Sequence, residues 1–328
     1  MHLLLAPKTR ESAMRDILTV TLNPALDLAT DVVRIIPDRK LRCAPAQLDP
    51  GGGGINVSRA IAILGGASRT FVVLGGHNGD HMAKLMTEAG LDLIVHPARG
   101  ETRSSLSVMD KTTGEQFRFM LPGPEWSELD VAAVTASVSY AARPGALAVV
   151  SGSIPPGVPL SIPTDLARAM AARGVDVIVD TSGEALKIAG SLTDRMVHVL
   201  RMNHHEANDL IGHPLRDLQE SADFAEMLVR QGAARIVIVA RDHEGSVLAT
   251  DGLRLHAPAA EVTVKSKVGA GDTFVGAFTM SLAMGEDLAA ALTRGVAGAS
   301  AAVMTDATRL CRREDAERLR VDCAARPI

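Results

Sequence analysis

The chain has very few aromatic residues: one Trp, one Tyr and six Phe make up 2% of its 328 residues. So sparse a set leaves little to stack on nucleobases, which excludes a single-stranded nucleic-acid binder. No block of positive charge compensates, because 34 Lys and Arg stand against 38 Asp and Glu, a net charge of −4. A duplex binder that must neutralise many phosphates is therefore excluded too. Cysteine is scarce. Cys43, Cys311 and Cys323 are odd in number, far apart and without zinc-ligand spacing, the pattern of a chain in a reducing, cytoplasmic compartment. A long apolar run is also missing. The longest uncharged stretch, 144–164, carries Pro144, Pro155, Pro156, Pro159 and Pro163, which a membrane-spanning helix would not tolerate, so no membrane partner is expected. Near the start, Leu3-Leu4-Leu5-Ala6 is too short for a signal segment, and residues 1–15 read as a loose, disordered extension.

What is present is the composition of a folded protein, 47% hydrophobic and 22% charged. At about 150 residues per domain, the length suits two domains or one large α/β domain with an appendage. Short β-branched runs at 17–22, 70–74, 146–150, 175–180, 196–200 and 235–240 read as buried strands, with amphipathic or Ala-rich stretches between them. Val57, Ala60, Ile61 and Leu64 recur with helical spacing, and so, less strongly, do Phe274, Ala277, Phe278 and Ser281, which predicts helices starting near Ile55 and Gly271. This rhythm predicts an α/β fold with a mostly parallel sheet covered by helices on both faces. Residues 26–48 and 103–121 break it with polar alternation and turn signals but no helix. They are expected to form a small second sheet, a lid on the 16–328 body over the strand ends where open α/β sheets bind ligands. Its edge would expose apolar strands, and pairing with a second copy, a homodimer, would cover them. There is no internal repeat and no linker.

The strongest local signal is Val268-Gly269-Ala270-Gly271-Asp272-Thr273 at the head of a predicted helix. Two glycines let consecutive N–H groups converge on an anion, and the helix terminus adds partial positive charge. Phosphoryl transfer needs that geometry: the amides hold the transferring group while Asp272 accepts the proton of the attacking hydroxyl. The alternative is that Asp272 only caps the helix. Pro50-Gly51-Gly52-Gly53-Gly54-Ile55-Asn56 is a second glycine loop, open either to a ligand approaching the main chain or to tight strand-to-helix packing. It matches neither the Walker A pattern nor G-x-G-x-x-G. Asp27, Lys40, Arg42 and Arg103 fall in the predicted lid, where one carboxylate suits sugar hydroxyls and the cations suit a phosphate; scattered surface charge is the alternative. Asn203 and Glu206 could organise a hydrated Mg²⁺. Between them, His204 and His205 occupy adjacent helical positions that point to different faces, so exposed histidines rather than metal ligands are expected.

Taken together, N-P-A-L-D (Asn23 to Asp27), K-L-R-C (Lys40 to Cys43), P-G-G-G-G-I-N, G-E-Q-F-R-F (Gly114 to Phe119), S-G-S-I-P-P-G (Ser151 to Gly157), V-D-T-S-G-E-A-L (Val179 to Leu186), N-x-x-E and V-G-A-G-D resemble the phosphofructokinase B family of ribokinase-like sugar kinases. The likeness runs over about residues 16–311. K-L-R-C, the four-glycine loop and T-R-L-C (Thr308 to Cys311) are similar to the minor, ribokinase-type 6-phosphofructokinase subgroup. The resemblance implies a three-layer α/β/α sandwich with a β-sheet lid. It also implies ATP-dependent phosphorylation of a ketohexose phosphate, fructose 6-phosphate first. Fructose 1-phosphate and tagatose 6-phosphate are the alternatives, and a non-catalytic sugar-phosphate sensor is the alternative of another class. Asp272 would be the base, Gly269, Ala270 and Gly271 the anion hole, and Lys40 a bridge toward the transferred group. Asp27, Gly52, Gly53 and Asn56 would hold sugar hydroxyls, Arg42 and Arg103 the existing phosphate, and Ser153 would line the pocket. Asn203 and Glu206 would organise Mg²⁺ with ATP, whose nucleotide would lie against Ala240, Arg241, Gly245 and Ser300. Ser266, Val268, Thr305, Ala307 and Arg309 match a monovalent-cation region, with K⁺ as the ion.

Four departures from the family pattern stand out. Ala240-Arg241-Asp242-His243-Glu244-Gly245 replaces Ser/Thr-x-Gly-x-x-Gly, so Asp242 brings negative charge toward the phosphates, which Arg241 would have to compensate. Arg201-Met202-Asn203 replaces Lys-Pro-Asn. Lys267 replaces a Ser/Thr, and Ala307 a Gly. The Lys267 ammonium is expected either to take the place of a bound K⁺ or to offset Asp242.

Overall fold

The computed structural model describes residues 14–306 and 309–328. In chain order the first elements are β1 (Ile17–Thr21), β2 (Ala25–Val32), β3 (Gln47–Gly51), α1 (Gly53–Ile63), β4 (Arg69–Leu74), α2 (Gly76–Glu88), β5 (Asp92–Pro97), β6 (Arg103–Asp110) and β7 (Gln116–Met120). Then come α3 (Glu128–Ala141), β8 (Leu147–Ser151), α4 (Ile162–Ala171), β9 (Asp176–Asp180), α5 (Gly183–Gly190), β10 (Val199–Asn203), α6 (His204–Ile211) and α7 (Leu218–Gln231). The last are β11 (Ile236–Ala240), β12 (Ser246–Thr250), β13 (Leu253–Ala257), α8 (Ala270–Ala283), α9 (Leu288–Ala302), α10 (Arg313–Arg318) and β14 (Arg326–Pro327).

Ten strands form the main sheet, in the order β14-β13-β12-β11-β10-β9-β8-β1-β4-β5. From β11 to β5 the pairs are parallel. Strands β8 and β1 are buried along their whole length, as continuous apolar runs covered on both faces must be. On one face Val138, Leu166, Leu186 and Phe224 of α3, α4, α5 and α7 pack over the sheet. On the other, Val57, Phe274, Val296 and Ala316 of α1, α8, α9 and α10 do the same. The result is the three-layer α/β/α sandwich that the sequence predicts. A second sheet, β3-β2-β6-β7, stands apart. Beneath it Leu26 packs with Met82 and Met86 of α2.

Three details differ from the sequence reading. The parallel edge strand β5 is not predicted, because it is half-exposed and carries no continuous apolar run. The strand expected at 196–200 starts three residues later, because Asp194 Oδ1 accepts from Met196 N–H (3.2 Å) and holds that segment in a turn. β12 to β14 add an antiparallel edge that the alternating βα rhythm does not predict. Of the expected extension, residues 1–13 lie outside the described residues, but Arg15 is tied to the body: its guanidinium donates to Gly145 O (2.8 Å) and Asp176 Oδ2 (2.8 Å). Among the described residues, no helix is long and apolar enough to cross a membrane.

Candidate active site

Chain order reverses between β8 and β1, which run side by side although most of the first half of the chain separates them. An open parallel sheet has its natural crevice at the carboxyl ends of such a pair. The residues just beyond those ends meet there. Asn23 Nδ2 donates to Ser153 Oγ at 3.1 Å, and Arg103, the first residue of β6, donates to Asn23 O at 3.2 Å. Asp27 on β2 accepts from Ser105 Oγ of β6 at 2.8 Å. Burial pushes the Asp27 carboxyl above its ordinary range, against the pull of Ser105 and Arg103.

The four-glycine loop connects β3 to α1, and close packing explains its composition. A Cβ on Gly51 would lie 2.0 Å from Asp27 Oδ2, and one on Gly53 would lie 2.2 Å from Ser151 Oγ. Gly52 adopts φ 136°, which only glycine takes without strain. One turn into α1, Asn56 Nδ2 donates to Asp272 Oδ2 at 2.9 Å, joining the first glycine loop to the second. Arg59 Nη1 in turn donates to Asn56 Oδ1 at 3.2 Å, fixing which end of the amide faces Asp272. The same guanidinium feels the charges of Asp49, Asp27 and Asp272, so carboxylates of the second sheet and of the second glycine loop converge on it.

At the head of α8, Gly269 is the N-cap in the left-handed region (φ 77°), and no side chain caps the helix. Asp272 is therefore not a cap, and its carboxylate faces Asn56. Burial and the neighbouring Asp180 push its pKa up to about 7, against Asn56, Arg201 and Arg59. A carboxylate poised near neutrality beside uncapped helix amides has the chemistry that a general base next to an anion site requires. Arg201 closes the far side: a Cβ on Gly271 would lie 3.0 Å from its Nη1, which also donates to Asp180 Oδ1 at 3.2 Å.

A profile of the pfkB family of carbohydrate kinases matches residues 20–315. The chain belongs to this family. It is 36% identical over 303 residues to the ATP-dependent 6-phosphofructokinase isozyme 2 of Escherichia coli K12, covering 92% of this chain and 97% of that one. A 1-phosphofructokinase of Xanthomonas campestris is 30% identical over 266 residues, 81% of this chain and 83% of that one. The crystal structure of phosphofructokinase-2 from Escherichia coli in complex with fructose-6-phosphate superposes with a TM-score of 0.87, at 35% identity, covering 94% of this chain and 99% of that one. The pfkB chain is accordingly an ATP-dependent sugar-phosphate kinase, and ATP with Mg²⁺ is what such a kinase uses.

On the nucleotide side, this pfkB kinase uses several predicted residues for its own framework. Asn203 and Glu206 form a capping box on α6, with Glu206 N–H donating to Asn203 Oδ1 (3.0 Å) and Asn203 N–H to Glu206 Oε2 (2.8 Å). Burial pushes the Glu206 carboxyl up, and Asp180 adds to the push. Two hard oxygen donors facing one region fit Mg²⁺, with Asp180 and the second oxygen of Glu206 as the groups that would hold its hydration shell. Arg241 points away from the cleft: its buried guanidinium donates to Ser221 Oγ (2.7 Å), Leu215 O (3.1 Å) and Glu244 Oε2 (2.7 Å). It therefore does not compensate Asp242, which instead lies 3.8 Å from Lys267 Nζ. Ala240 ends β11, and Gly245 needs its hydrogen, since a Cβ would lie 2.0 Å from Ala257 O.

Ser300 is buried and accepts from Ala260 N–H at 3.2 Å. In the predicted cation region, Ser266 Oγ accepts from Val268 N–H (3.1 Å), and buried Thr305 donates to Ala302 O and Leu310 O. Arg309 is exposed, and Ala307 lies outside the described residues. Lys40 and Arg42 are exposed in the connection from β2 to β3, and among the described residues neither forms an ion pair. The sequence reading missed Asp180 and Arg59 as site residues. The signals were there: Asp180 closes a predicted parallel strand, and Arg59 sits one turn after Asn56, on the same helix face.

The two histidines also differ from expectation. Instead of pointing to different faces, their rings lie together, with centroids 3.8 Å apart and planes tilted by 39°; His205 is exposed and His204 only partly so.

Proposed function

We propose that the chain transfers the γ-phosphoryl group of ATP to the 1-hydroxyl of fructose 6-phosphate. The observation that carries this is Asp272, held by Asn56 at 2.9 Å in front of the uncapped head of α8, with a pKa of about 7. Asp272 takes the proton of the attacking hydroxyl while the N–H groups of Gly269, Ala270 and Gly271 face the transferring phosphoryl group. Asp27, Asn56 and the backbone of Gly52 and Gly53 receive the sugar hydroxyls. Arg103 and Arg42 receive the phosphate already on the sugar, Ser153 lines the pocket, and Lys40 bridges toward the transferred phosphoryl group. Glu206 and Asp180 would hold the hydration shell of Mg²⁺, which would supply charge neutralisation on the ATP phosphates. Ala240 and Gly245 flank the nucleotide phosphates, and the Lys267 ammonium, 3.8 Å from the Asp242 carboxylate, offsets its charge.

The second sheet is the lid of this site, and its edge is where a second copy docks. Strand β7 is exposed throughout, with Phe119, Met120 and the following Leu121 all more than half exposed. The relatives' names support a fructose phosphate but divide between 6- and 1-phosphofructokinase.

ADP production with Mg-ATP and fructose 6-phosphate, fructose 1-phosphate, tagatose 6-phosphate, fructose or ribose decides among them. The expected result is a rate with fructose 6-phosphate well above the others, lost in Asp272→Asn. Arg103→Met should raise KM for the sugar phosphate by about tenfold or more, the loss of a charged hydrogen bond. Tight sugar-phosphate binding without turnover would instead favour the sensor reading, for which the Asp242 carboxylate in the nucleotide loop is the specific motive.

A further inference from the structure

The His204 and His205 imidazoles and the Asp242 carboxylate each offer a ligand atom, and these atoms all lie within 4.8 Å of one another. His204 Nδ1 is 3.8 Å from Asp242 Oδ2. It is buried and has no hydrogen-bond partner. A lone pair left in that state is costly unless something receives it. Ligand atoms around one metal ion sit about 3–4 Å apart when each bond is about 2 Å, so the cluster needs only small side-chain rotations to close on an ion.

The backbone explains why these groups meet. The capping box of Asn203 and Glu206 fixes the first turn of α6, from which the two rings project side by side, centroids 3.8 Å apart. Asp242 is brought to them by a 3₁₀ turn, Asp242–Glu244, with Asp242 itself at φ 50°.

We propose that His204, His205 and Asp242 form a site for a borderline divalent transition-metal ion such as Zn²⁺, distinct from the Mg²⁺ that accompanies ATP. Two imidazoles and one carboxylate select for nitrogen-binding metals, whereas Mg²⁺ prefers oxygen. Three protein ligands leave one position open to water or another oxygen donor. An ion here cancels the negative charge that Asp242 brings to its loop. Lys267, 3.8 Å from the same carboxylate but with a largely exposed side chain, is the competing cation and swings aside when the metal binds.

The test is isothermal titration of Zn²⁺ into the full chain without nucleotide or sugar, so that its outcome is independent of the kinase reading. One site per chain is expected. His205→Ala and Asp242→Asn should each weaken it by about tenfold or more, and Lys267→Ala should strengthen it. Cys43→Ser should leave it unchanged. His205 and Asp242 are exposed, and circular dichroism of both variants checks that they fold. Absence of a site in the wild-type chain, or equal Zn²⁺ affinity in wild type, His205→Ala and Asp242→Asn, would overturn the proposal.

Discussion

In the proposed reaction Asp272 is the group whose ionisation sets the pH dependence. Asp272 must be ionised to accept a proton, and with a pKa near 7 its competent fraction falls as the solution becomes acidic. We therefore expect kcat/KM to rise with pH and level off above about 7, and Asp272→Asn to lower kcat by about 10²–10⁴-fold. Asn56 donates to the charged form, so Asn56→Ala should move the acid limb of the profile upward by about one unit. Stability carries the opposite signature. The folded state keeps a proton that the unfolded chain releases above pH 3.8, so this group's contribution is complete below that value and is lost as the pH rises through about 7. Asp272→Asn should melt like wild type near pH 4 and at a clearly higher temperature at pH 8, as differential scanning fluorimetry would show. Asp272 itself was legible in the sequence, because G-A-G-D before a helix is a local pattern. Asp180 shows in the sequence only as a strand end, and that it and Arg201 tune Asp272 does not show there, since their proximity depends on β9 and β10 lying side by side.

Among the elements, α6 shows one motif serving two purposes. Asn-x-x-Glu is both the spacing of a capping box and the spacing proposed for Mg²⁺, and residue types alone do not separate the two. Glu206→Gln preserves the box, since Gln can also accept from the N-cap amide, but removes the charge. Its melting temperature should stay close to wild type while its rate at limiting Mg²⁺ falls. Asn203→Ala should instead destabilise the fold by about 1 kcal/mol, measured by urea unfolding. The βα rhythm made the parallel strands readable, because a buried strand is a continuous apolar run. The β12–β13 edge escaped notice because a short antiparallel hairpin leaves only a weak imprint, a turn at Asp251-Gly252. Arg241 is the counter-example: in sequence it looks like a ligand for phosphate, and only the position of Ser221 on α7 shows that it is a structural bolt.

At the scale of the whole molecule, the exposed β7 edge is the feature an isolated chain can least afford. Phe119→Glu should leave a monomer in analytical ultracentrifugation where the wild type forms the proposed lid-to-lid dimer, with little change in its melting temperature at high dilution. The hydrogen bond from Asn56 to Asp272 has a further meaning in time. Its two ends are 216 residues apart in the chain. A ribosome adding about 5–20 residues per second therefore exposes the sugar-facing half some 10–40 s before the base and its anion site emerge. Asn56 thus waits for its partner until synthesis is almost done, and no nascent chain short of residue 272 can carry out the proposed transfer.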